Sequence, residues 1–229
     1  AIHLVATGAN PLGAFMHATG SGTTFNAFTR EFPSQTFTTP GAAIAFRGDL
    51  YMLGANGPIV DDVTNGVYTE ITPITDLVNS LSSALDLTDV PPTGLQILAA
   101  FDSGGLLATY GKYFPTSEPP FWALEGLQAP NGTSFSFSPS ICGDDGLMAD
   151  SVVHVVAVAS GQVWDTWTPD WGSIGFSPWE RIGTQGASAP DCTMMGDETV
   201  HVVTLSNAGH ILDIYGSPGS WTTTDLGTF

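Results

Sequence analysis

Four of the six tryptophans, Trp164, Trp167, Trp171 and Trp179, fall within 16 residues, and the first two flank Asp165 in "QVWDTW". A related stretch, "HILDIY", repeats the spacing with His210, Asp213 and Tyr215, and Trp221 follows it. In a strand, side chains two apart share a face, so Trp164 and Thr166 take one side while Asp165 and Trp167 take the other. A polar residue held at one register of an apolar strand needs a partner, either a backbone group or a ligand hydroxyl. The aromatic residues divide by position. Trp164 and Trp179 read as packing between repeats, whereas Trp167 and Trp171, near the "TPDWGS" turn, read as exposed. His210, Tyr215 and Trp221 are placed to complete a pocket with the preceding unit. These nine residues form the candidate ligand-binding set.

Covalent chemistry lacks its usual signatures. There is no nucleophile elbow, no H-E-x-x-H, no P-loop and no EF-hand run. Asp61, Asp62, Asp144, Asp145 and Asp191 can in principle supply the carboxylate pair of a glycosidase. Near-equivalent repeats argue instead for equivalent binding sites over one asymmetric catalytic centre, so catalysis is not expected. His3, His154 and His201 recur at one repeat position. Equivalent positions in a ring stand apart and do not converge on a metal, so each is read as bonding a neighbouring unit, and no cofactor is expected. Cys142 and Cys192 are too few for a disulfide scaffold or a zinc site. They stand 50 residues apart, nearly one repeat, and read as two equivalent buried positions, with a disulfide between neighbouring inner strands as the alternative. Asn131-Gly132-Thr133 matches a glycosylation acceptor, informative only in a eukaryotic secretory context.

The elements that must position these residues recur about every 48 residues. An anchor residue followed by an apolar strand appears at His3, Tyr51, Gln96, His154 and His201, with spacings of 48, 45, 58 and 47. Each anchor strand runs into a turn of the hairpin-closing kind, "GANPLG", "GANGP", "DSGG", "ASG" or "SNAG", and then into a second strand. A third strand is seen in "FSPWERIG", echoed by "FNAFTREF", "PFWALEGL" and "SWTTTDLG". A short, small-residue strand precedes the later anchors, as in "AAIAFRG", "SICGDDG" and "DCTMMGDE". Four strands in units of this length are the mark of β-propeller blades. The fold class expected is therefore all-β, a five-bladed propeller of four-stranded antiparallel blades in a single domain over residues 1–229. Units start near residues 1, 49, 95, 151 and 199. The segment 77–90, with Leu77, Leu81 and Leu85 at i, i+4 and i+8, is the one stretch able to form a helical turn. Closing the ring leaves the inner strand before His3 unaccounted for, so the first blade is expected to be three-stranded, trimmed upstream of Ala1, or completed by another segment or subunit.

Bulk composition narrows the partners. Four Lys and Arg against 22 Asp and Glu give a formal charge of -18, which repels nucleic acid and anionic membrane surfaces. No run of 18 apolar residues occurs, so no membrane insertion is expected. A start at Ala1 without Met suggests a processed N-terminus, with a secreted or cell-surface location expected.

The blade pattern, a small-residue strand, then "VHVVAV", an Asn/Asp/Ser-Gly turn, "QVWDTW" and "FSPWERIG", resembles the β-propeller lectins. Its texture is similar to the Photorhabdus-type and tectonin-like repeats, and its length and unit count to the five-bladed tachylectin-2 type. The resemblance is sharpest in the fourth unit and fair in the fifth, and the position of Trp164 is taken by Met16, Val60, Ala108 and Leu212 elsewhere. It implies a secreted carbohydrate-binding lectin with sugar pockets between adjacent blades, specific for fucose or methylated sugars, working with one or two live pockets and gaining avidity from several sites or from a homo-oligomer. The alternative is a structural or protein-interaction propeller whose aromatic cluster or incomplete blade binds a partner protein.

Overall fold

A computed structural model of the chain describes residues 2–9, 12–21, 23–31, 39–46, 49–56, 59–64, 67–71, 86–90, 94–99, 107–113, 121–143, 152–168 and 175–228. Side chains are described at residue 16 and in 18–21, 23–28, 126–143, 152–168 and 175–228. The described chain is all-β apart from one 3₁₀ turn at Pro130–Gly132.

Its strands form five antiparallel sheets, one for each repeat seen in the sequence. The first holds β1 (Ile2–Ala9), β2 (Leu12–Ser21), β3 (Thr24–Phe25) and β4 (Thr29–Glu31), with β3 and β4 both paired to β2. The second runs β5 (Thr39–Phe46), β6 (Asp49–Asn56), β7 (Ile59–Thr64), β8 (Val67–Ile71), and the third β9 (Asp86–Val90), β10 (Gly94–Ala99), β11 (Leu107–Tyr113), β12 (Phe121–Leu127). The fourth runs β13 (Ser140–Gly143), β14 (Val153–Ala159), β15 (Gln162–Trp167), β16 (Glu180–Gly183), and the fifth β17 (Asp191–Met194), β18 (Val200–Leu205), β19 (Ile211–Ser217), β20 (Ser220–Gly227). Successive strands pair as neighbours within sheets two to five, the meander that short polar turns dictate.

The innermost strands lie side by side in the order β1, β5, β9, β13, β17. Sheet one therefore presents its anchor strand β1 where every other sheet presents the short strand before the anchor. Among the described residues β1, like β5, β9, β13 and β17, pairs within its sheet on one edge only. The helical reading of 77–90 is corrected at its end, because residues 86–90 form β9, the inner strand of sheet three; residues 77–85 lie outside the described ones. The outer strand of sheet two is β8, upstream of that segment.

Register fixes which residues are equivalent. Val156 pairs with Asp165, Val203 with Asp213, Val5 with His17 and Leu98 with Thr109. In sheet two the same place, two beyond the anchor Tyr51, pairs Leu53 with Asp62, so the alignment of unit two through Val60 and Asp61 shifts by one residue. A one-residue slip moves a strand position to the other face.

Alternation gives each blade a forward and a rear face. On sheet four, Val156, Val158, Val163 and Ile182 face forward and pack against Val200, Val202 and Ile214 on the rear of sheet five. Val153 and Val155 face the rear and pack with Ile141 and Leu127, backed by Phe135, Phe176 and Trp179. All of β14 is buried, because a sheet lies on each side of it.

The two cysteines are not equivalent. Cys142 pairs with the anchor His154, whereas Cys192 pairs with Val202, one beyond its anchor. That offset turns Cys142 forward and Cys192 to the rear, so they meet across the gap as a disulfide with Cα atoms 5.8 Å apart. The alternative reading of the sequence is the one observed. Beside it Cys192 N donates to Ser140 Oγ at 3.2 Å.

Candidate functional site

The chemistry of the fourth and fifth blades is built on a repeated motif of three side chains on the forward face. Nδ1 of His154 lies 3.0 Å from Oδ2 and 3.1 Å from Oδ1 of Asp165, and the Trp167 ring stacks on the imidazole with centroids 6.2 Å apart. His201, Asp213 and Tyr215 repeat it, with an Nδ1 to Oδ1 distance of 3.1 Å and a ring separation of 5.4 Å. The carboxylate has only acceptors, so the imidazole donates through Nδ1. The partners of His154 and His201 are thus in their own sheets, which corrects the expectation of a bond to a neighbouring unit for these two; the side chain of His3 lies outside the described ones. The first pair is closed to solvent and the second is partly exposed. Burial pushes the Asp165 carboxyl above its ordinary 3.8, against the lowering by the His154 bond.

Two indoles tie neighbouring blades through their outer strands. Trp179 Nε1 donates to Gln128 O at 2.8 Å, and its ring meets Phe135 edge-on at 5.6 Å. One blade on, Trp221 Nε1 donates to Glu180 Oε2 at 3.2 Å, and the same carboxylate accepts the Gly219 amide at 3.0 Å. Trp164, buried on the rear face, reaches Ala159 O at 3.4 Å.

A cavity of about 380 Å³ opens between sheets four and five, at the end that carries the 160–161 and 206–209 turns. Its floor is Leu212, over the fully buried Ile214; Thr184 and Gln185 come from the loop after β16, and His210 and Asp225 from sheet five. His210 Nδ1 lies 2.7 Å from Asp225 Oδ2. The Asp225 carboxyl is held below its ordinary 3.8, first by the His210 bond and then by the Gly227 amide. Local structure aims these groups. Ser206 Oγ accepts the His210 amide at 3.1 Å, which fixes the hairpin turn ahead of β19, and Gly186 N donates to Gly161 O at 2.9 Å, which holds the 184–186 loop against its own sheet. Gly183 permits the approach of the two sheets, since a Cβ there would lie 2.6 Å from Ile214 Cδ1. A second concavity of about 390 Å³, at the opposite end of sheet five, is polar and lined by Tyr215, Asp197, Thr199, Ser217 and Thr222. Among the described residues no group of three His, Cys, Asp or Glu side chains converges as a metal site.

The structure therefore separates the nine predicted residues into groups. His210 lines the first cavity and Tyr215 the second. Asp165, Trp167 and Asp213 belong to the forward-face motifs, while Trp164, Trp179 and Trp221 pack within or between blades. Trp171 lies outside the described residues. Thr184, Gln185 and Asp225 were missed. The signal for Asp225 is its place in "TTTDLG", at the end of the outer strand that faces His210 across β19. The loop residues carry no repeat signal.

Comparison with known proteins places this geometry. No protein-family model matches the chain, and no curated protein matches it by sequence. Among solved structures it is similar to the fucose-binding lectin of Aleuria aurantia, described as a six-bladed β-propeller, with a TM-score of 0.65 at 11% identity over 94% of this chain and 71% of that one. It is also similar to the BP39L lectin of Burkholderia pseudomallei, with a TM-score of 0.63 at 15% identity over 95% of this chain and 64% of that one. AofleA from Arthrobotrys oligospora follows with a TM-score of 0.55 at 12% identity, over 95% and 67% of the two chains. At these identities the likeness establishes architecture: the chain has the fold of the β-propeller lectins.

Proposed function

We propose that the protein is a carbohydrate-binding lectin, non-catalytic, whose principal sugar site is the cavity between sheets four and five. The observation that carries this reading is the joining, in one cleft of about 380 Å³, of an aliphatic floor with convergent polar groups. Such a volume lies within the range of small-ligand pockets, roughly 300–1,000 Å³. A pyranose needs both features: a C–H patch or methyl group to cover, and hydroxyls to satisfy. Leu212 supplies the first, and His210, Asp225, Gln185 and Thr184 the second. Tyr215, with its ring face and polar neighbours, marks the second concavity as an accessory site.

The sugar class follows from the floor. A 6-deoxyhexose such as fucose, or a methylated sugar, sets a methyl group on Leu212, where a hydroxymethyl would lose hydrogen bonds to water. The fucosides bound by the Aleuria aurantia and SapL1 lectins support this choice. The five sheets are read as five blades of one propeller domain, and the Photorhabdus- and tectonin-like repeat texture as a variation within the same lectin group. The disulfide supports a secreted or surface location, because such bonds persist in oxidising compartments. Open sites of this kind bind weakly, so several pockets or a homo-oligomer supply avidity.

The test is titration with methyl α-L-fucoside against methyl α-L-galactoside, which differs only by the 6-hydroxyl, on the native chain and on Asp225→Ala and His210→Ala. Saturable binding that favours the fucoside, and that both variants lose, is expected. Absence of binding across a glycan array removes the lectin reading. Binding unaffected by both variants removes this cavity as its site.

A further inference from the structure

His210 stands just ahead of β19, on the lining of the cavity between sheets four and five. Its Nδ1 lies 2.7 Å from Asp225 Oδ2, while Asp225 Oδ1 accepts the Gly227 amide at 2.8 Å. A carboxylate has no proton to give, so a neutral imidazole facing it keeps its single N–H on Nδ1 and leaves a bare lone pair on Nε2. Among the described residues Nε2 has no hydrogen-bond partner, and the side chain is 40% exposed. The hydroxyls of Thr184 and Thr223 and the amide of Gln185, on the same lining, can each give or take a hydrogen bond. His210 Nε2 differs from them in having its role fixed by a second residue and reversed by one proton.

No other charge competes for this nitrogen. Asp225 is the one titratable group besides His210 on the cavity lining. On β16, the Glu180 carboxylate is engaged by the Gly219 amide and the Trp221 indole, and Arg181 stands across from Trp164. On β19, Asp213 bonds His201 on the opposite face. Asp225 is held below its ordinary 3.8, so it stays ionised and keeps accepting through the range in which imidazoles titrate.

We propose that His210 is the specificity-determining residue of the sugar cavity, an acceptor locked by Asp225 that demands an O–H donor while the ring is neutral and becomes a donor when the ring takes up a proton. The inference rests on the sugar reading of the same cavity and deepens it: the hydroxyl that meets Nε2 is recognised by its proton and not by its oxygen. Fluorine in place of that hydroxyl keeps the size and removes the proton. The neutral site rejects it, and the protonated site, with an Nε2–H to offer, tolerates it. Asp225→Asn has the same effect without acid. Its oxygen stays with the Gly227 amide and its NH2 faces Nδ1, which must then accept, so the ring proton moves to Nε2.

The test has two arms, both on the full chain. Long-range proton–nitrogen NMR of the imidazole-labelled protein at about pH 8 reads the tautomer without any sugar. The proton is expected on Nδ1 in the native chain and on Nε2 in Asp225→Asn. Titration with methyl α-L-fucoside and its 2-, 3- and 4-deoxyfluoro analogues reads the recognition. One analogue is expected to bind several-fold more weakly than the parent at about pH 8, with the gap closing both at about pH 5 and in Asp225→Asn. A native ring protonated on Nε2 overturns the proposal, as does the absence of any gap or a gap that neither acid nor the Asn variant narrows. Should no fucoside bind the native chain, the sugar reading falls by itself and the tautomer decides the lock: an Nδ1 proton that Asp225→Asn moves bears it out, and one that stays overturns it.

Discussion

Asp165 and His154 sit diagonally across two strands, with the imidazole Nδ1 3.0 Å from the carboxylate Oδ2, at a place sealed from solvent by the fifth sheet. Asp165→Ala leaves the buried Nδ1–H without an acceptor, at a cost of about 1–3 kcal/mol. Asp165→Asn keeps an acceptor and is expected to lose less. The pH dependence separates them further. Burial raises the Asp165 pKa above 3.8, so the folded state binds this proton more tightly than the unfolded chain. The stability it contributes is complete below 3.8 and is lost as pH rises through the raised value. Asp165→Asn removes that decline, which urea denaturation at a series of pH values checks.

The repeat, the hairpin turns and the strand order were legible because each rests on local signals: an anchor followed by alternate apolar residues, then Asn, Asp or Gly at a tight turn. Register was less so. Val60–Asp61–Asp62 offers two alignments that differ only in which face each residue takes, and only the pairing of Leu53 with Asp62 decides. The disulfide was visible as an alternative for the same reason, since its geometry depends on a one-residue offset between β13 and β17. The candidate cavity was half legible. His210 immediately precedes the repeat strand β19, whereas Thr184 and Gln185 belong to a loop whose place is set by Gly186 bonding back to Gly161.

The disulfide joins the inner strands of two blades across 50 residues of chain. On the chain-entropy account a loop of that length contributes about 4 kcal/mol by restricting the unfolded state. Cys142→Ala with Cys192→Ala, or reduction, is expected to lower stability by about that amount, read as a fall in melting temperature that added reductant does not deepen in the double variant.

The His210–Asp225 pair is exposed, so its signature is a titration and not a stability loss. Asp225 is held below 3.8 chiefly by the His210 bond, and its contribution is present above 3.8 and lost as pH falls through the lowered value. His210→Ala is expected to move the Asp225 pKa back toward 3.8, with the Gly227 amide retaining part of the shift. Carboxyl carbon NMR of the labelled protein reads this directly; an unmoved Asp225 would mean that the pair does not form in solution.

Gly183 and Ile214 meet where sheets four and five close over the cavity. A Cβ on Gly183 would stand 2.6 Å from Ile214 Cδ1 and 3.2 Å from Val163 Cβ, and Ile214 is fully buried. Gly183→Ala therefore overpacks the seam and is expected to destabilise by about 1–3 kcal/mol. The clash is with the far methyl of one side chain, so Ile214→Val, which removes that methyl, should recover much of the loss when the two are combined. A double-mutant cycle by thermal denaturation measures the coupling. Because both residues line the cavity, Gly183→Ala alone should also weaken methyl fucoside binding. Recovery of stability in the double variant without recovery of binding would show that the added Cβ on Gly183 itself narrows the cavity.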